Sequence, residues 1–136
     1  MRKKEVHHLY EFALCEIEKD LGAGITSDAE INEYCTFLPY FLGAYAWDEI
    51  PKLKDLDSCI VNLDTSDQNG SHWIAIYRYK NKTYMFDSFD RKITKYKKVE
   101  IDKIVTQKPR ELNCGQRCIA FLVLVEILGI NDTLKL

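Results

Sequence analysis

The sequence lacks any apolar run approaching the ~18 residues that a membrane-crossing helix requires; its longest, Cys118 to Val125, is far shorter. Glycine and proline are scarce, six and three in 136 residues, and they fall between periodic segments, so no low-complexity stretch or internal repeat interrupts the chain. Neither sign of charge dominates. Nineteen basic and 21 acidic side chains leave a net charge of −2, with a pI near 5.9. That is not the basic footprint of a chain that lives on nucleic acid, so no nucleic-acid partner is expected. The N-terminal MRKKEVHHLYEF is basic but has no apolar core followed by a small-residue cleavage site, and no secretory signal is expected.

Cysteine is also sparse in pattern. The five, Cys15, Cys35, Cys59, Cys114 and Cys118, are odd in number, widely spaced and free of any Cys-x-x-Cys pair. These features exclude a disulfide scaffold and argue against structural zinc. No metal is expected. Most cysteines then read as small buried hydrophobes in a reducing compartment. His7 and His8 have no spaced partner either.

What is present is an ordinary globular balance, 46 % apolar and 29 % charged, at a length that fits a single domain over residues 1–136. Val6, Leu9, Tyr10, Ala13, Leu14, Ile17 and Leu21 recur at helical spacing and predict a helix from about Glu5 to Leu21, stopped by Gly22 and Gly24. Ser27 and Glu30 have the spacing of a capping box and predict a second helix with Ile31, Tyr34, Cys35 and Leu38 as its stripe. An aromatic loop is expected from Tyr40 to Ile50, where Tyr40, Tyr45 and Trp47 fit either a core cluster or a substrate groove. Cys59 to Leu63 reads as a buried strand, and residues 72–87 as a hairpin turning at Asn81-Lys82. RKITKYKK at 91–98 reads as a solvated basic face. Residues 99–107 fit helix or strand equally. The apolar run after Asn113 predicts a helix buried on most sides and ended by Gly129. The fold class is α+β: a small central sheet, N-terminal helices and a buried C-terminal helix.

Three polar residues interrupt segments that otherwise look like core. His72 opens one strand of the hairpin, Asp87 closes its partner fifteen positions on, and Cys114 heads the buried helix. Antiparallel pairing sets His72 beside Asp87, which lets a carboxylate orient an imidazole and leave its other nitrogen as a base. A helix N-terminus favours an anion, and a thiolate is the nucleophilic form of cysteine. Gly115 removes a side chain where a substrate backbone could approach. Gln107, seven residues before Cys114, offers an amide that, with the Cys114 N–H, would make an oxyanion hole. Cys118, one turn after Cys114, fits core packing or, alternatively, a resolving thiol.

GSHWIAIY (70–77), YMFDSFD (84–90) and Gln107 with NCGQRCIAFL (113–122) resemble the adenain-like cysteine proteases, the adenovirus maturation protease and its relatives in virophages, large DNA viruses and Polinton-type elements. GITSDAEINEY (24–34), FLGAYAWDEIP (41–51) and CIVNLDTSDQNG (59–70) extend the similarity, which is shared more distantly with the ubiquitin-like-protein proteases. The resemblance implies a cysteine protease core in which Cys114 is the nucleophile, His72 the base, Asp87 its orienting partner and Gln107 an oxyanion donor. Trp73 and Gly115 then line the substrate site. It implies cleavage of viral structural precursors after small, glycine-containing sites, inside an infected host cell, cytoplasm or nucleus, or in the virion. Two alternatives stand beside it: an isopeptidase for ubiquitin or ubiquitin-like modifiers, and an inactive protease fold serving as a virion interaction module. No cofactor is expected. The adenovirus enzyme takes a peptide and DNA as activators, whereas this chain is slightly acidic and has no cysteine in 88–113 to tether a peptide.

Overall fold

A computed structural model describes residues 1–63, 72–88, 100–102 and 111–136. Helix α1 (Lys3–Leu21) buries Val6, Tyr10, Leu14 and Ile17, one face at 3.6-residue spacing. Helix α2 (Asp28–Tyr34) starts at the expected capping box: Ser27 Oγ accepts from the Glu30 N–H at 3.1 Å and Glu30 Oε1 accepts from the Ser27 N–H at 3.1 Å. A short 3-10 turn, Cys35–Phe37, continues it.

The segment expected to be an aromatic loop is instead strand β1 (Phe41–Ala46), followed by a 3-10 turn at Trp47–Glu49. Its register with the next strand shifts between Phe41 and Ala44, around Gly43 at φ 140°. A bulged strand loses the regular alternation by which a strand is read from sequence. The Ala44 N–H donates to Asn32 Oδ1 at 2.8 Å, tying β1 to α2.

Strands β2 (Ser58–Asn62), β3 (Trp73–Tyr79), β4 (Lys82–Phe86) and β5 (Glu100–Asp102) complete a five-stranded sheet in the order β1-β2-β3-β4-β5. β2–β3 and β3–β4 are antiparallel; β1–β2 and β4–β5 are parallel. The β3–β4 hairpin turns at Lys80 and Asn81, both at positive φ (49° and 64°), as a two-residue primed turn requires. The turn thus sits one residue earlier than expected. β5 resolves part of the ambiguous 99–107 segment as strand, while the basic stretch 91–98 lies outside the described residues.

Helix α3 (Cys114–Leu128) ends at Gly129, φ 82°, and a short α4 (Ile130–Thr133) follows. α1 and α3 cover one face of the sheet, where Phe86 stacks on Phe121 at 4.7 Å and meets Tyr10 edge-on at 6.2 Å. Cys59, Val61, Ile74, Ile76 and Met85 point to the other face, under Tyr45, Trp47, Ile50, Leu53 and Leu63. Tyr45 and Trp47 therefore pack against core, while Tyr40 is exposed. All five residues of β2 are buried because both faces are covered, which is why its centre, Cys59-Ile60-Val61, is apolar without alternation. The result is the mixed α and β architecture expected. Among the described residues no helix is long and apolar enough to cross a membrane.

Candidate active site

The sheet and α3 converge at one end of the hairpin. His72 immediately precedes β3 and Asp87 immediately follows β4. Extending the Ala75↔Phe86 register by one step sets Asp87 opposite Ile74, so His72 and Asp87 are diagonal rather than direct neighbours. Just outside the ladder, the pleat no longer dictates which way a side chain turns. The two side chains meet there: His72 Nε2 lies 2.7 Å from Asp87 Oδ1, with side chains only 1 % and 3 % exposed. Nε2 is thereby engaged by the carboxylate, and Nδ1 is the ring nitrogen left to face another group.

The Cys114 thiol is the group whose protonation is coupled to that of His72. α3 begins at Cys114, and the Trp73 N–H points at its sulfur, N to Sγ 3.4 Å. Burial works to raise the Cys114 pKa, but hydrogen bonds from His72 and the Trp73 N–H, the nearby imidazole and the Gly115 N–H outweigh it, and the thiol sits below its ordinary value. His72 shows the complementary balance. Burial works to lower its pKa, yet its hydrogen bonds to Asp87 and Cys114 carry it above the ordinary imidazole value. The other buried cysteines go the opposite way. Burial pushes Cys35 and Cys59 up to about 12, and fully buried Cys118 is raised well above the ordinary thiol. Of the buried thiols, Cys114 alone is held toward thiolate.

Trp73 is buried against the head of α3, its indole N–H donating to the Thr26 carbonyl at 2.9 Å. Gly115 has a packing reason that its sequence position did not reveal. A Cβ there would lie 3.2 Å from Thr26 Cβ and Oγ1 and 3.3 Å from Trp73 Cδ1. The missing side chain thus lets Thr26 and Trp73 pack close against the head of α3. Gln107 lies outside the described residues. Among the described residues no group of three or more His, Cys, Asp or Glu side chains is placed to hold a metal ion.

Two residues passed over in the sequence anchor this site. Gln116, fully buried, donates through Nε2 to the carbonyls of Gly22 and Gly24, both at 2.8 Å. It pins the α1–α2 connector that carries Thr26. Arg117 is 5 % exposed and reaches Asn113, Tyr10 and Glu111. The available signal was that both are polar in the first turn of a helix whose next eight residues, Cys118 to Val125, are all apolar.

The model of the adenovirus endoprotease family matches residues 41–126, well over half of the chain. The chain belongs to the adenovirus endoprotease family. It is accordingly a protease, a hydrolase whose substrates are proteins. The family match runs from β1 to near the end of α3 and includes His72, Asp87 and Cys114, while α1 and α2 precede it. No curated protein matches the chain.

Proposed function

We propose that this protein is a cysteine endopeptidase with Cys114 as nucleophile, His72 as base and then acid, and Asp87 as the residue that orients His72. The observation that carries this reading is the chain of contacts from Asp87 through His72 to the one buried thiol held below its ordinary pKa. In this mechanism the Cys114 thiolate attacks the scissile carbonyl carbon, and the oxyanion is held by the Cys114 N–H together with the Gln107 amide. The His72 imidazolium gives its proton to the leaving amine as the C–N bond breaks. His72 then takes a proton from water, the hydroxide attacks the thioester, and the proton returns as the Cys114 sulfur leaves.

By resemblance, the substrates are viral structural precursor proteins cut after small, glycine-containing sites, in the infected cell or in the particle. Trp73, packed on the head of α3, is the wall that would exclude bulky side chains there. The family resemblance allows a peptide or DNA activator, and the chain's slight negative charge speaks against one. Incubating purified protein with co-encoded virion proteins and reading the new termini by mass spectrometry tests this. Cuts should follow small residues and vanish with Cys114→Ala; full cleavage by Cys114→Ala would refute the assignment. Reaction with a ubiquitin vinyl sulfone probe but with no virion protein would make the enzyme an isopeptidase instead.

A further inference from the structure

Cys114 is carried by α3, whereas His72 and Trp73 stand at the start of a sheet strand. Their alignment therefore depends on how the helix head seats against the sheet. One direct contact spans the gap, the Trp73 backbone N–H to Cys114 Sγ at 3.4 Å. A second bridge runs beside it through the connector between α1 and α2, residues 22–27. On the sheet side, the Thr26 carbonyl accepts from the Trp73 indole N–H at 2.9 Å. On the helix side, Gln116, two residues after Cys114, donates through Nε2 to the carbonyls of Gly22 and Gly24, both at 2.8 Å. Thr26 is wedged between them, since a Cβ at Gly115 would lie 3.2 Å from its Cβ and Oγ1. The result is a closed brace from α3 through the connector to Trp73 and back to the Cys114 sulfur.

Gln116 is not what packing alone would select at this place. It is 0 % exposed, and among the described residues its Oε1 has no hydrogen-bond partner. A buried acceptor without a donor is destabilising. Gly22 and Gly24 are exposed residues, whose carbonyls water could serve if the helix offered no donor. What an apolar residue at 116 cannot do is hold the connector to the head of α3. We propose that Gln116 is a positioning residue for Cys114: it ties the connector to the helix while Thr26 holds Trp73, and so sets the spacing between the Cys114 sulfur and the sheet residues that serve it. Such spacing matters within about 0.5 Å for a reacting group. The connector, which precedes the span that matches the family, thereby gains a part in the reactivity of the thiol. The inference rests on the reading of Cys114 as the nucleophile.

Its test is the pH profile of iodoacetamide alkylation of Cys114, resolved by peptide mass spectrometry with exposed Cys15 as reference in the same full-length chain. Gln116→Met keeps the length of the side chain and removes its donor. The Cys114 midpoint should then move upward by about one pH unit, the scale of one weakened hydrogen bond to a charged group. Trp73→Phe keeps the backbone N–H and removes the indole donor, so it opens the other end of the brace and should give a like shift. Both act through one connector, so the double variant should shift no further than the larger single one. Ile76→Val, against the opposite face of the sheet, destabilises without touching the brace and should leave the midpoint in place. Thermal melts on every variant set lost stability beside the shift. A folded Gln116→Met with the unaltered midpoint overturns the inference, as does full additivity in the double variant or an equal shift in Ile76→Val. If Gln116→Met does not fold, Trp73→Phe decides, and an unaltered midpoint there is the overturning result. Failure of Cys114 in the unaltered chain to outpace Cys15 at neutral pH would count against the nucleophile reading itself, a separate outcome.

Discussion

His72 Nε2 and Asp87 Oδ1 lie 2.7 Å apart in a site where neither side chain is more than 3 % exposed. At that distance the carboxylate fixes both the ring orientation and the tautomer, with the Nε2 proton toward Asp87 and Nδ1 as the basic nitrogen. Asp87→Asn keeps the shape but offers an amide that can donate to Nε2 and so favour the wrong tautomer. Peptide cleavage should fall on the order of a hundredfold or more in kcat, with KM little changed, in steady-state assays on a cleaved precursor peptide. An unchanged kcat would mean that Asp87 only fills space.

The cysteines should separate by reactivity. Cys114 is held below the ordinary thiol, while Cys35 and Cys59 are pushed up to about 12 and Cys118 higher than its ordinary value. In the folded protein at pH 6–7 (about two units below a free thiol's pKa), iodoacetamide should modify Cys114 and leave Cys35, Cys59 and Cys118 intact. After denaturation all should react. Peptide mapping before and after denaturant measures this, and modification of Cys118 ahead of Cys114 would reverse the assignment of roles.

How much of this was legible in the sequence follows from how local each cause is. The α1 stripe and the Ser27–Glu30 box are local and could be read directly. β1 could not, because the register shift around Gly43 removes the alternation and its pairing with β2 comes from across the sheet. His72, Asp87 and Cys114 stood out as polar residues at the ends of apolar segments. Gln116 and Arg117 are equally polar, but their partners, Gly22, Gly24 and Tyr10, lie about a hundred residues away in the chain. No spacing rule connects positions so distant. Gly115 was legible as a close approach, but what approaches it, Thr26 and Trp73, became known only from the packing.

His72 also makes stability depend on pH with a definite sign. Burial alone would lower its pKa, but hydrogen bonds to Asp87 and Cys114 outweigh it and the folded-state value is raised. The fold therefore binds this proton more tightly than the unfolded chain does. The stabilisation is complete below the unfolded value, about 6.5, and is lost as pH rises through the higher folded value. The Tm advantage of the unaltered protein over His72→Gln should be largest below about pH 6, shrink as pH rises from the unfolded value through the folded one, and level off above it. Calorimetry across that range checks it. An advantage that grows with pH would mean that burial prevails and the native imidazole is neutral.

Gly115→Ala tests how tightly the head of α3 is packed. The added methyl would sit 3.2 Å from Thr26 Cβ and Oγ1 and 3.3 Å from Trp73 Cδ1, closer than ordinary van der Waals contact. The helical backbone at 115 accepts alanine, so the loss is purely steric. Thr26 cannot retreat freely, because its carbonyl holds the Trp73 indole N–H at 2.9 Å and its connector is pinned by Gln116. Overpacking of this kind costs about 1–3 kcal/mol, which lowers Tm by roughly 3–10 °C for a chain of this size. Trp73 must shift as well, and its backbone N–H is the one that reaches the Cys114 sulfur. Alkylation of Cys114 should therefore slow along with the loss of stability. Thr26→Gly, combined with Gly115→Ala, removes the two closest atoms and should restore part of both. Thermal melts and alkylation rates on the three proteins measure it, and a Gly115→Ala protein as stable and as reactive as the parent would show that the Thr26–Trp73 wall yields freely.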